Sequence, residues 1–175
     1  DPQRIGGFGY SAGAHLVALL GAAQPTPGEP TSDDAENSPV ARLQAVAGGG
    51  APCDFRGLPL DNRTLAFWLG GSRRERPEQY HLSSPAAYVT PDDPPMFFYH
   101  GQADRLVPPE SPQQMVTALR DAGVPAELHI VPNAGHIFAA MDKTALEKVV
   151  KFFQEELAGE IGEDGDEESG QLGKN

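Results

Sequence analysis

The chain is predicted to fold as an α/β protein with a parallel sheet of about four strands flanked by helices. Three observations predict this. Four short strand-like segments stop at or near glycines or turn residues, and helices or long crossings rather than hairpins separate them, which implies right-handed parallel connections. The composition agrees: 39% apolar residues with 20 Gly and 17 Pro in 175 residues suits a globular domain with long loops and excludes a coiled coil.

The elements read in order as follows. Residues 4–9 form a strand that runs directly into Tyr10-Ser11-Ala12. A helix follows to about Ala23; its leucines and five alanines make it apolar on every side, so it is expected to be buried all round. Residues 24–41 are rich in Pro, Ser, Asp and Glu and read as a surface loop. Leu43–Gly48 is the second strand, followed by Gly49-Gly50 and Cys53-Asp54. Residues 55–89 read as an irregular insertion with Phe67, Trp68 and Leu69 at its centre. Met96–His100 is the third strand, ending at Gly101. Ser111 and Gln114 read as a capping box around Pro112, opening a helix that closes at Gly123. Glu127–Val131 is the fourth strand. Asp142 caps a last helix with the apolar stripe Leu146, Val149, Val150, Phe153 and Leu157. Residues 159–175 are acidic and Gly-rich, so a folded domain of 1–158 with a disordered tail is expected.

In open parallel sheets, function gathers at the carboxyl ends of the strands. Three motifs lie there. Gly9-Tyr10-Ser11-Ala12-Gly13 is G-x-S-x-G between a strand and a helix. A serine on so tight a turn adopts a strained backbone, and glycines at Gly9 and Gly13 are expected to relieve collisions between the flanking segments. The turn would aim the Ala12 N–H at a reacting carbonyl oxygen, with the positive end of the helix behind it. Asp104 follows the third strand and His136 the fourth, in the chain order Ser, acid, His. Histidine suits the base because its ordinary pKa lets it take and return a proton near neutrality, and the acid would orient it. Asp54, also after a strand end, is the rival acid. His100 and His15 read as packed histidines, His81 and His129 lack a carboxylate partner, and Cys53 reads as a buried small residue.

These segments resemble α/β-hydrolase esterases. Ile5-Gly-Gly-Phe-Gly-Tyr-Ser-Ala-Gly-Ala-His-Leu16 is similar to the nucleophile segment of the branch containing acetyl-xylan-esterase-like and hormone-sensitive-lipase-like carboxylesterases. Ser84-Pro85, Tyr88-Val89 and Pro94-Pro95-Met96-Phe97, with His100-Gly-Gln-Ala-Asp-Arg-Leu-Val-Pro108, resemble its acid segment, and Asn133-Ala-Gly-His-Ile-Phe138 its histidine segment. The resemblance covers residues 4–157 and implies the C-terminal part of an α/β-hydrolase fold. It implies ester hydrolysis through an acyl-enzyme on Ser11, with short acyl or acetylated carbohydrate esters as substrates. Ala14 departs from the branch, which often has glycine there. Only ten residues precede Ser11, and none resembles the loop that supplies the family's second oxyanion donor. A non-catalytic fragment is therefore one alternative, and a serine peptidase of the prolyl-oligopeptidase type another.

The net charge is −12, of which residues 154–175 carry −7. Nucleic-acid binding is not expected, because Arg73, Arg74 and Arg76 make only a short basic cluster. No apolar run is long enough to span a bilayer. The single Cys53 excludes an internal disulfide and a cysteine-based zinc site, and no metal or other cofactor is expected. The expected partner is a small ester; compartment and oligomeric state are left open.

Overall fold

The structure, a computed structural model, describes residues 4–24 and 42–158. The expected acidic tail and most of the expected loop at 24–41 lie outside the described residues. Four strands form one parallel sheet in chain order: β1 (Gly6–Tyr10), β2 (Ala45–Gly49), β3 (Met96–Gly101) and β4 (Ala126–Val131). The helices are α1 (Ala12–Ala22), α2 (Ala66–Leu69), α3 (Pro77–Leu82), α4 (Glu110–Asp121), α5 (His136–Ala140) and α6 (Lys143–Glu156).

Period-two alternation sorts the strand side chains between two layers. Val46, Met96 and Phe98 pack with Ala14 and Ala18 of α1 and with Met115 and Leu119 of α4. Ala47, Phe97 and Tyr99 point the other way and pack with Ala145 and Val149 of α6. Both β2 and β3 are buried throughout, as a sheet covered on two faces requires.

Helix α1 corrects one expectation. It buries only its small face, Ala14, Ala18, Gly21 and Ala22, and leaves Leu16 and Leu20 62% and 59% exposed. The small residues prevail because they let the helix lie very close to the sheet. A Cβ at Gly48 would stand 3.2 Å from the Ala14 methyl, and one at Gly21 would stand 2.7 Å from a Val46 methyl. Leu16 and Leu20 cannot share that contact and fall on the far side.

The capping box is also not formed. Helix α4 starts two residues earlier, with Pro109 at the N-cap and no side-chain cap. The Ser111 hydroxyl instead accepts the Cys53 N–H at 2.8 Å, satisfying a backbone donor in the loop after β2. The Asp142 cap does form, its carboxylate accepting the Ala145 N–H at 2.8 Å. Residues 55–89 hold more helix than expected: α2, α3 with Pro77 at its start, and a 3-10 turn at Pro85–Ala87. Among the described residues, no helix is long and apolar enough to cross a membrane.

This packing yields a stability contrast. Leu119→Ala, at a fully buried contact between α4 and the sheet, is expected to cost about 2–5 kcal/mol. Leu20→Ala is expected to stay within about 0.5 kcal/mol of the parent. Denaturant unfolding of the two variants checks this; comparable losses would contradict the one-sided burial of α1.

Candidate active site

The site begins with a backbone constraint. Ser11 links β1 to α1 with φ 54° and ψ −118°, a conformation that costs a non-glycine residue on the order of 1–3 kcal/mol. Its N–H donates to the Gly49 carbonyl at 2.8 Å, tying the turn to the end of β2. Gly9 makes the turn possible: a Cβ there would run into the backbone of Gly13 and Ala14. Gly13 does not play the matching part expected of it, since a Cβ there would meet nothing within 4 Å. The close approach needs one missing side chain, and the chain omits it at Gly9. Ala12 opens the 11-residue helix α1, where first-turn N–H groups have no acceptor within the helix.

Asp104 lies just past β3, on a segment stitched to the segment after β4. Gln102 N–H donates to Val131 O and Ala103 N–H to Ala134 O, both at 2.9 Å. The Asp104 side chain is fully buried. Its Oδ1 accepts the N–H groups of Leu106 at 2.9 Å and Val107 at 3.0 Å, and its Oδ2 lies 2.6 Å from His136 Nδ1. Burial pulls the Asp104 pKa upward, but the Val107 N–H, His136 and the Leu106 N–H outweigh it and hold the carboxyl below its ordinary value. His136 is the first residue of α5, a helix the sequence pattern did not indicate, and its Nε2 lies 2.9 Å from Ser11 Oγ. The three strand ends therefore bring Ser11, His136 and Asp104 into one continuous hydrogen-bonded chain.

Two neighbours of His136 were not foreseen. Tyr10, the residue before the serine, donates its hydroxyl to the His136 carbonyl and sets its ring 5.3 Å from the imidazole. Burial, with Tyr99 and Asp104 nearby, pushes the Tyr10 phenol up to about 12, so it remains a donor. Gly50 has φ +60°, and a Cβ there would approach His136 Cε1 and the Tyr10 ring to 3.0 Å. The glycine run after β2 offered a signal for this contact, although periodicity could not say what it faces.

The rival acid is engaged elsewhere. Asp54 takes a two-pronged pair from Arg56, with Nε at 2.9 Å from Oδ1 and Nη2 at 2.7 Å from Oδ2. His15 Nε2 lies 2.8 Å from Ser83 O, and His129 Nδ1 lies 3.0 Å from Lys148 Nζ. The His81 ring sits 6.3 Å from that of Tyr88. Cys53 is fully buried, and burial pushes its thiol well above the ordinary range. Among the described residues, no group of three His, Cys, Asp or Glu comes together to hold a metal ion.

A parallel sheet with helices on both faces and a serine on a strained strand-to-helix turn defines an α/β-hydrolase fold. Within that class the chain belongs to the BD-FAE family, which it matches over residues 1–119. It is 30% identical over 145 residues to Esterase LipQ of Mycobacterium tuberculosis, covering 79% of this chain and 34% of LipQ. It is 31% identical over 147 residues to a probable carboxylic ester hydrolase, LipM, of the same organism, covering 77% of this chain and 33% of LipM. The chain thus spans about a third of the length of these relatives. Among solved structures, a truncated form of a carbohydrate esterase from gut microbiota superposes with a TM-score of 0.78 at 29% identity, covering 90% of this chain and 61% of that one. Esterase Est2 of Thermogutta terrifontis superposes with a TM-score of 0.68 at 26% identity, covering 93% and 59%.

The two glycines of the elbow separate by experiment. Gly9→Ala is expected to cost about 1–3 kcal/mol or more, because its new methyl meets backbone that cannot yield. Gly13→Ala is expected to be neutral or stabilising by about 0.5–1 kcal/mol, as for a helical glycine with open space around it. Thermal unfolding of both variants checks the pair, and equal destabilisation would contradict the asymmetry.

Proposed function

We propose that the chain carries the nucleophile, base and acid of a serine esterase: Ser11, His136 and Asp104. The observation that supports this most strongly is the unbroken chain of contacts, 2.9 Å from Ser11 Oγ to His136 Nε2 and 2.6 Å from His136 Nδ1 to Asp104 Oδ2. In this reading Asp104 accepts a hydrogen bond from the Nδ1–H, which fixes the tautomer and leaves Nε2 as the base facing the serine. Ser11 Oγ attacks the ester carbonyl carbon as His136 Nε2 takes its proton. The carbonyl oxygen gains the negative charge, and Ala12 N–H with the N-terminus of α1 stabilises it. As the tetrahedral species collapses, His136 returns the proton to the departing alcohol and an acyl group stays on Ser11. Water then attacks the acyl carbon, losing a proton to His136, and the acid leaves as Ser11 recovers its proton.

Esters are preferred to peptides because the relatives named above are esterases or carboxylic ester hydrolases. Short acyl groups and acylated carbohydrates are the proposed substrate class. Structures of the Thermogutta enzyme with butyrate bound, and the carbohydrate esterase among the structural neighbours, support that choice.

Turnover tests the roles. On nitrophenyl acetate and butyrate, Ser11→Ala and His136→Ala are each expected to lower kcat by factors on the order of 10⁴ to 10⁶. Asp104→Asn is expected to fall nearly as far, with Asp54→Asn near the parent rate. Loss in Asp54→Asn with a retained Asp104→Asn rate would overturn the acid assignment. Faster cleavage of aminoacyl nitroanilides than of the esters would overturn the ester preference.

A further inference from the structure

His100 ends β3 with its side chain fully buried, and it takes no part in the proton transfers described above. Its surroundings explain why a histidine occupies so enclosed a position. The Nε2 atom lies 2.8 Å from the Val107 carbonyl oxygen. A carbonyl only accepts, so Nε2 carries the proton and His100 is the Nε2–H tautomer. The other nitrogen, Nδ1, is buried with no hydrogen-bond partner, which a neutral imidazole tolerates far better than an imidazolium would. Nε2 also lies 3.2 Å from Asp104 Oδ2, the same oxygen that faces His136.

These contacts close a loop around the acid. The His100 N–H holds the Val107 carbonyl, the Val107 N–H holds Asp104 Oδ1, and Asp104 Oδ2 rests against the edge of the His100 ring. One end of the loop is fixed, because His100 is paired in register with Ile130 of β4. The turn from Asp104 to Val107 has no regular secondary structure to hold it. Without His100, Val107 O would lose its donor inside the protein, and the carboxylate would be free to swing off the His136 axis.

Resting on the esterase reading, we propose that His100 is a positioning residue that pins the Asp104–Val107 turn to the end of β3 and keeps the Asp104 carboxylate in line with His136. The ring has to stay neutral to do so, since a second proton would go to Nδ1, which is buried with no acceptor to receive it. The charged or titratable groups around it are Asp104, His136 and Glu110. Burial, the largest influence, lowers its pKa and keeps it neutral.

The test compares His100→Gln, whose amide nitrogen can reach the place of Nε2, with His100→Met, which fills similar space without a donor. Each folded variant is read in two ways. In the first, kcat for nitrophenyl acetate in His100→Met is expected to fall about 10- to 100-fold, with KM within about threefold, and His100→Gln to recover most of the loss. In the second, the strongly deshielded proton NMR resonance of the His136–Asp104 hydrogen bond is expected to broaden or disappear in His100→Met and persist in His100→Gln. A parent-like resonance and kcat in His100→Met, or equal impairment in both variants, would overturn the proposal. Should His100→Met fail to fold, His100→Asn, whose amide falls short of Val107 O, replaces it with the same expectations. The resonance needs no turnover, so a parent chain that cleaves no ester would count against the esterase reading while leaving this proposal testable.

Discussion

The whole site hangs on one close approach, that of the end of β1 to the first turn of α1 across Gly9. Because no side chain separates the two backbones there, the chain can reverse within a single residue, and Ser11 takes the left-handed conformation that lifts its hydroxyl clear. The bond from Ser11 N–H to Gly49 O and the small-residue contact of α1 with β2 hold that reversal against its strain. The elbow is therefore a product of packing at a distance from the serine as much as of the motif itself. Helix α1 supplies both its N-terminal field at Ala12 and the weight that keeps the turn closed.

The other half of the site is built from hydrogen bonds rather than from strain. Asp104 sits without solvent yet keeps its charge, because two backbone N–H groups and His136 all donate to it. Backbone donors cannot swing away as side chains can, so the carboxylate is held by the turn that carries it. The loops after β3 and β4 are also bonded to each other, which ties the segment carrying Asp104 to the segment carrying His136. Tyr10 joins these segments to the elbow through its bond to the His136 carbonyl.

Much of this was legible in the residues. Strand positions could be read to within one or two residues because each strand ends at or near a glycine or turn signal and alternates no further. The three strand-end motifs could be read because open parallel sheets have one functional edge. What could not be read were choices between competing partners. Apolar periodicity said that α1 was greasy all round, but not that its alanines would win the sheet and its leucines lose it. The Ser111 pattern fitted a cap, while the hydroxyl found a stronger claim in the Cys53 N–H, a contact across 58 residues that no local pattern encodes. His100 looked like packing, and its place beside Asp104 emerges only when the 104–107 turn folds back over the end of β3.

Covalent capture tests more directly than turnover whether Ser11 is an activated nucleophile. Paraoxon is a suitable reagent, because a serine hydroxyl attacks phosphorus readily only when a neighbouring base activates it. The purified chain, treated with paraoxon and digested, is read by mass spectrometry for the peptide spanning Ser11, alongside His136→Ala under the same conditions. Diethylphosphoryl mass is expected on Ser11 alone, formed rapidly in the parent and only very slowly in His136→Ala. A folded chain whose Ser11 stays unmodified, or reacts equally fast without His136, would contradict that activation.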